Sequence, residues 1–348
     1  MKANLSVLKT GADTLRRQLD LFDEVLKLNR VNAAEVQPAG AAKQIVEVQS
    51  RLSGSADLAR FCYNAAIVSL YGLLERYIEN LIAEAVRRVA ELVPRYDLVP
   101  EKIRLHHLPL TLEVLSHIGT GRYQGKTSGA ELIRGLYSCT SDTLEFALND
   151  SVFAHHTANF RSEVVKQSFE RIGLQIAGVP AQQDYRDVVD RYFPEENNKL
   201  YVIDDLSERR NEVSHGSASE LLSSGVLRSY IEIVEAYAAA VLNEAISWLL
   251  GVAIQYHGRD LGRPDEVFRN EIAGYRSLRV GVEVGDLIAV IDGRGQKRCG
   301  WVSSIEVDRV AARRASSGSS TGLLLSCPVR DGNRLYLVPR DADYLLSP

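Results

Sequence analysis

Residues 57–93 read DLARFCYNAAIVSLYGLLERYIENLIAEAVRRVAELV. Apolar positions such as Leu58, Phe61, Leu70, Leu74, Ile78, Leu81, Ile82, Val86 and Val89 recur there every three or four residues, with no proline and one glycine, Gly72. That period, held over roughly ten turns, predicts a single long core helix, and Pro94 stops it. Glu75 falls among its apolar neighbours. A charge beside a core needs either a partner, for which an arginine is the natural choice, or a place at the solvated edge.

A second stretch of the same kind runs from Leu221 to about Tyr256, through Leu227, Ile231, Val234, Val241, Leu242 and Leu249. It should pack beside the first. Ser217-Ala218-Ser219-Glu220 has the form of a capping box opening it. Near the start of the chain, Leu5, Leu8, Ala12, Leu15, Leu19, Phe22 and Leu26 alternate by three and four, a narrow seam that fits either a second chain or the helix's own bundle. Residues 31–55, broken by Pro38-Ala39-Gly40 and Ser53-Gly54-Ser55, read as a connection with a short amphipathic piece around Ile45 to Leu52. Residues 94–128 read as irregular, with one short helix around Leu110 to Ile118. Further helices are expected at 129–149, at 159–173 ending in Gly173, and at 198–214 closed by Gly216.

Past Tyr275 the period changes to short β-rich runs, Val280 to Ile291, Cys299 to Val307, Gly322 to Val329 and Arg334 to Pro339, separated by Gly, Asp, Asn and Ser. The reading is therefore an α+β multidomain chain: an N-terminal helix and linker over 1–55, a helical bundle over 56–258, a linker from Gly258 to Gly274, and a small β-barrel-like domain over 275–348.

Composition narrows the classes. With 348 residues, 45% apolar and 25% charged, the chain is an ordinary globular one. Its apolar runs are broken by charge within about a dozen residues, and its N-terminus lacks the apolar stretch and small-residue cleavage site of a leader. The expectation is a cytoplasmic protein with no membrane partner. Cys62, Cys139, Cys299 and Cys327 lie far apart, none in a CxxC pair, and read as free thiols. The net charge of −4 hides an asymmetry, because residues 275–348 carry 11 Lys+Arg against 8 Asp+Glu. That balance permits a nucleic-acid partner without demanding one.

The chemistry-bearing stretch is Arg210-Asn211-Glu212-Val213-Ser214-His215, followed by Gly216. A guanidinium stays charged and its fork of donors fits a phosphate, while an imidazole titrates near neutral pH and can move a proton. In an unbroken helix the two would be turned about 140° apart and separated by about 7.5 Å along the axis. The break at Gly216 relaxes this, and the negative end of the helix macrodipole suits a cationic ring.

Arg210 to Gly216 resembles the Arg-x4-6-His motif of the HEPN superfamily in its Arg-Asn-x-x-x-His form. Leu70-Tyr71-Gly72-Leu73-Leu74-Glu75-Arg76-Tyr77-Ile78 and Asn159-Phe160-Arg161 through Gly173-Leu174 are similar to segments of its MAE/RiboL-PSP group, over roughly residues 57–250. The resemblance implies a metal-independent endoribonuclease without cofactor, its site formed where two protomers join their Arg-His segments in a homodimer. RNA would be the substrate, with His215 as general acid or base, Arg210 stabilising phosphoryl charge and Asn211 orienting or binding phosphate. Toxin or antiphage RNA restriction, under an antitoxin or regulatory partner, would be the setting. The same resemblance also covers non-catalytic dimers that bind RNA or nucleotides.

Arg209 satisfies the loose spacing too, although Asn211 favours Arg210; Arg209 reads as a phosphate contact or a solvated residue. Glu75 is a further candidate near bound RNA. Arg309, Arg313 and Arg314 sit in a basic, Ser/Gly-rich stretch that fits RNA phosphates or a solvated hairpin loop. Trp301 and Tyr336 read as core. The adjacent pairs His106-His107 and His155-His156 point apart and read as loop residues; a metal would require distant carboxylates or histidines to converge on them, and none is predicted. No phosphate-cradling GxxxxGK[ST] loop occurs, which argues against nucleoside-triphosphate hydrolysis.

Overall fold

The computed structural model describes residues 1–28, 31–52, 55–119, 127–140, 145–216 and 220–345. Its helices are α1 (Lys2–Leu28), α2 (Ala39–Arg51), α3 (Ser55–Leu92), α4 (Glu101–Ser116), α5 (Gly129–Thr140), α6 (Ser162–Glu170), α7 (Gln183–Tyr192), α8 (Tyr201–Ser214) and α9 (Ser224–His257). A curled antiparallel sheet, a half-barrel, follows.

The long period of residues 57–93 becomes α3, whose Ile67, Leu74, Ile78, Leu81, Ile82, Val86 and Val89 are fully buried. It packs against α9, and α1 lies on both. Leu5, Leu8, Ala12, Leu15 and Leu19 are buried, so the α1 seam closes on the chain's own bundle. Fully burying a leucine contributes about 1.5–3 kcal/mol, which makes this stripe enough to hold the helix in place. Tyr77, deep in α3, donates its hydroxyl to the Ala238 carbonyl at 2.7 Å, satisfying a buried polar atom and tying α3 to α9. α9 is long and apolar enough to cross a membrane, but most of its apolar stretch is buried inside the fold, as in a core helix.

Several boundaries differ from the sequence reading. Residues 39–51 form a full helix where a connection is expected, and α4 spans Glu101–Ser116 with Pro109 inside it. α5 ends at Thr140, and α7 was not foreseen. α9 starts at Ser224, with the Ser223 hydroxyl accepting from the Val226 N–H at 3.3 Å. The expected capping box includes residues 217–219, which lie outside the described residues.

The sheet has strands β1 (Arg259–Gly262), β2 (Glu266–Phe268), β3 (Ile272–Tyr275), β4 (Val282–Glu283), β5 (Leu287–Ile291), β6 (Lys297–Val307), β7 (Val310–Ala312), β8 (Arg314–Ala315), β9 (Thr321–Leu325) and β10 (Arg334–Val338). The main order is β1-β10-β5-β6-β9-β3-β2, with β7 on β6 and β4 paired to β8. The expected linker at 258–274 is a correction: β1 begins one residue after α9 and pairs with β10, and β2 and β3 form a hairpin turning through Arg269 and Asn270 at φ 53° and 57°. These strands are three or four residues long and carry Gly, Arg and Asp, which hides them from a pattern search.

β5 explains how the two parts join. Its side chains alternate faces, so Ile288 and Val290 fill the interior of the curl while Leu287 and Ala289 join the helical core. Cys299, Val338, Ala342 and Leu345 lie on that same helix-facing side, against α9. A strand buried on both faces reads as an unbroken apolar run, as Leu287-Ile288-Ala289-Val290-Ile291 does.

Candidate active site

α8 is fixed from below. Val202, Ile203 and Leu206 are buried. Asp205 accepts from the Tyr230 hydroxyl of α9 at 2.7 Å and from Arg209 Nε at 2.5 Å, while Arg209 Nη1 donates to the Tyr63 hydroxyl of α3 at 3.1 Å. On the preceding position Asp204 accepts from the Ser162 N–H at 2.7 Å and its hydroxyl at 3.0 Å, capping the first turn of α6. Asp204, Asp205 and Arg209 thus tie one helix to three others.

The last turn emerges from this anchorage. His215 N–H returns to the Asn211 carbonyl at 3.0 Å and Gly216 N–H to that of Val213 at 3.1 Å. Gly216 takes φ +68°, a left-handed conformation that ends the helix at low cost because glycine has no Cβ. The His215 side chain is exposed. Arg210 is half-buried, its guanidinium carbon 5.3 Å from the centre of the Tyr71 ring of α3. The Asn211 Oδ1 accepts from Asn159 Nδ2 and, at a long 3.5 Å, from Arg210 Nη1.

The segment that carries Asn159 completes the floor. Phe160 N–H donates to the Tyr71 hydroxyl at 2.9 Å, and the His156 and Phe160 rings lie with centroids 4.0 Å apart. His156 Nε2 is 3.0 Å from Glu79 Oε1 and 3.6 Å from Glu75 Oε1. Tyr71, Glu75 and Glu79 are spaced by four along α3, so they share one face of the helix. That face meets the end of α8 through the 155–160 segment.

The RiboL-PSP-HEPN family model matches residues 39–246, from α2 through most of α9, including every residue of this site. This chain belongs to the RiboL-PSP-HEPN family. α1 and the curled sheet lie outside the HEPN match. Comparison with curated proteins finds no match. Membership points to a nuclease or otherwise RNA-related role.

Within the HEPN region the structure sorts the sequence candidates. Arg210 and Asn211 meet through their side chains, whereas among the described residues no hydrogen bond joins Arg210 to His215. Arg209 is corrected: it is neither solvated nor presented to phosphate, because its side chain is 13% exposed and spent on Asp205, Tyr63 and the Glu220 carbonyl. Those acceptors hold its proton more tightly than in water, against the burial that opposes it. Glu75 has a partner, but it is His156 rather than an arginine. Arg309 sits at φ 67° in the turn of the β6–β7 hairpin, Arg313 lies between β7 and β8, and Arg314 pairs with Glu283; all three are exposed.

The histidine pairs also divide. His155 and His156 lie in a non-helical segment as expected, but His106 and His107 are in α4. His107 is fully buried, its Nε2 accepts from the Asn149 N–H at 3.0 Å, and burial lowers its pKa to about 4. Trp301 and Tyr336 pack on the helical core, as read. The cysteines are free. His156, Glu79, Tyr71 and Asn159 were missed as site residues; the resembling segments contain Tyr71 and Asn159, but only folding sets them against Arg210 and Asn211.

Proposed function

We propose that this HEPN protein is a metal-independent endoribonuclease. The observation that carries the reading is the Arg210-Asn211-x-x-x-His215 segment at the exposed end of α8, inside the family match. The RNA 2′-hydroxyl attacks the adjacent phosphorus, His215 transfers the proton, and Arg210 neutralises charge on the phosphoryl oxygens. Asn211, held by Asn159, sets the orientation of the arginine. The products are a 2′,3′-cyclic phosphate and a 5′-hydroxyl, and DNA, which lacks the attacking hydroxyl, is spared.

Arg210 leans on α3 while His215 faces solvent, so one chain supplies an incomplete pair. A homodimer joined over the ends of α8 completes it, with each Arg210 beside its partner's imidazole. The setting we favour is cytoplasmic RNA restriction, as a toxin or antiphage effector held in check by a second protein. Arg309, Arg313 and Arg314 would contact RNA phosphates from the sheet.

The test uses purified full-length protein with single-stranded and transfer RNA in EDTA, with product ends analysed and mass measured by light scattering. Cleavage to cyclic-phosphate ends is expected, and His215→Ala and Arg210→Ala should each lower the rate by about 100-fold or more while leaving a folded dimer. Undiminished cleavage by either variant would sink the assignment, and RNA binding without cleavage would favour a silent binding module.

A further inference from the structure

We propose that Glu75, Glu79 and His156 form a binding site for one divalent cation of the zinc class. Glu75 and Glu79 stand four residues apart on the same face of α3, an arrangement in which like charges repel and a cation between them relieves the repulsion. His156 comes from the distant segment after residue 154. One carboxylate oxygen of each glutamate and the His156 Nε2 all lie within 4.8 Å of one another. Metal–ligand bonds of about 2.0–2.1 Å in a tetrahedron place ligand atoms about 3.3 Å apart. The Nε2 separations of 3.0 Å to Glu79 and 3.6 Å to Glu75 bracket that value.

The ring's other nitrogen supplies an independent argument. His156 Nδ1 lies 2.8 Å from the Ala158 carbonyl oxygen, which can only accept, so Nδ1 carries a hydrogen. In the neutral ring the Nε2 lone pair then points at the two carboxylates. A backbone carbonyl fixing the tautomer in this way is how proteins hold a metal-ligating imidazole. The ring is further held by Phe160, and its side chain is only 6% exposed. Glu75 and Glu79 are 30% and 23% exposed, which leaves a path for the ion and room for water as a fourth ligand.

One imidazole and two carboxylates suit Zn²⁺ or Mn²⁺ better than Ca²⁺, which takes six to eight oxygens, or Mg²⁺, which keeps most of its water. The ion would pin the 155–160 segment to α3. It takes no part in phosphodiester cleavage, and the proposal stands apart from the nuclease reading.

The experiment strips the full chain with chelator, dialyses it, and titrates it with Zn²⁺ and with Co²⁺, following metal content after gel filtration and the visible Co²⁺ absorption. One ion per chain is expected, with the intense bands of a four-coordinate site. Glu75→Gln and Glu79→Gln should each weaken binding about tenfold or more, and the double variant and His156→Gln should abolish it; Arg210→Ala should bind normally. Glutamine keeps the volume of glutamate, so the double variant carries the test if His156→Gln does not fold. Failure of the stripped wild type to take up metal would overturn the site. Equal uptake by the folded double variant would overturn it as well.

Discussion

Arg209 and Arg210 are neighbours that both fit an Arg-to-His spacing, and replacing each by alanine separates fold from function. Arg209 and Asp205 are 13% and 15% exposed. Without Arg209, Asp205 keeps only the Tyr230 hydroxyl, and the Tyr63 hydroxyl loses its donor. Breaking a fully buried pair costs about 3–5 kcal/mol; with the residual exposure here about 2–3 kcal/mol is expected. Unfolding entropy near 2.1 cal/mol/K per residue gives about 0.7 kcal/mol/K for this chain, so Arg209→Ala should lower Tm by about 3–4 °C. Arg210→Ala removes a ring contact and a long hydrogen bond, about 0.5–1 kcal/mol, or about 1 °C. Differential scanning fluorimetry beside an RNA-cleavage assay, run well below Tm, measures both. The expected pattern is a less stable but active Arg209→Ala and a stable but inactive Arg210→Ala. If Arg209→Ala melts like wild type, or the activities are reversed, the assignment of the two arginines is wrong.

Acid should weaken the fold through His107. Its folded pKa near 4 lies below the unfolded value near 6.5, so below pH 6.5 the unfolded chain takes up a proton that the native state refuses. The stabilisation is complete above pH 6.5 and is lost as pH falls towards 4, by about 3 kcal/mol in all; His107→Gln should flatten that part of a urea-melt pH series, and an unchanged slope would count against it. Thiol labelling should be uneven: burial raises all four thiols, Cys299 to about 12 and Cys327 to about 11, but Cys62 alone of the four is half-exposed, so iodoacetamide at pH 8 should reach it first. Mass spectrometry showing rapid labelling of all four would contradict the burial. Asn159→Ala should cut cleavage about tenfold with little change in Tm, because it frees Asn211 without opening the core; full activity would remove Asn159 from the positioning role.

The amino-acid sequence by itself determined the elements with a sustained period. α1, α3 and α9 are legible because a helix that buries one face or all faces must repeat apolar residues at three and four, and β5 because two-faced burial demands an apolar run. The Arg210-Asn211-x-x-x-His215 segment and its terminating Gly216 are equally local, since helix termination is decided within a turn. Short strands such as β1 to β3 escaped, because they owe their pairing to β10, β9 and one another rather than to their own composition. Tertiary structure alone decided that Arg209 is an anchor bound to Asp205 while Arg210 lies against the Tyr71 ring: adjacent helical positions are rotated by about 100°, and what each meets depends on where α3 and α9 lie. It alone brought His156 to Glu75 and Glu79, across a separation in sequence that no local pattern spans.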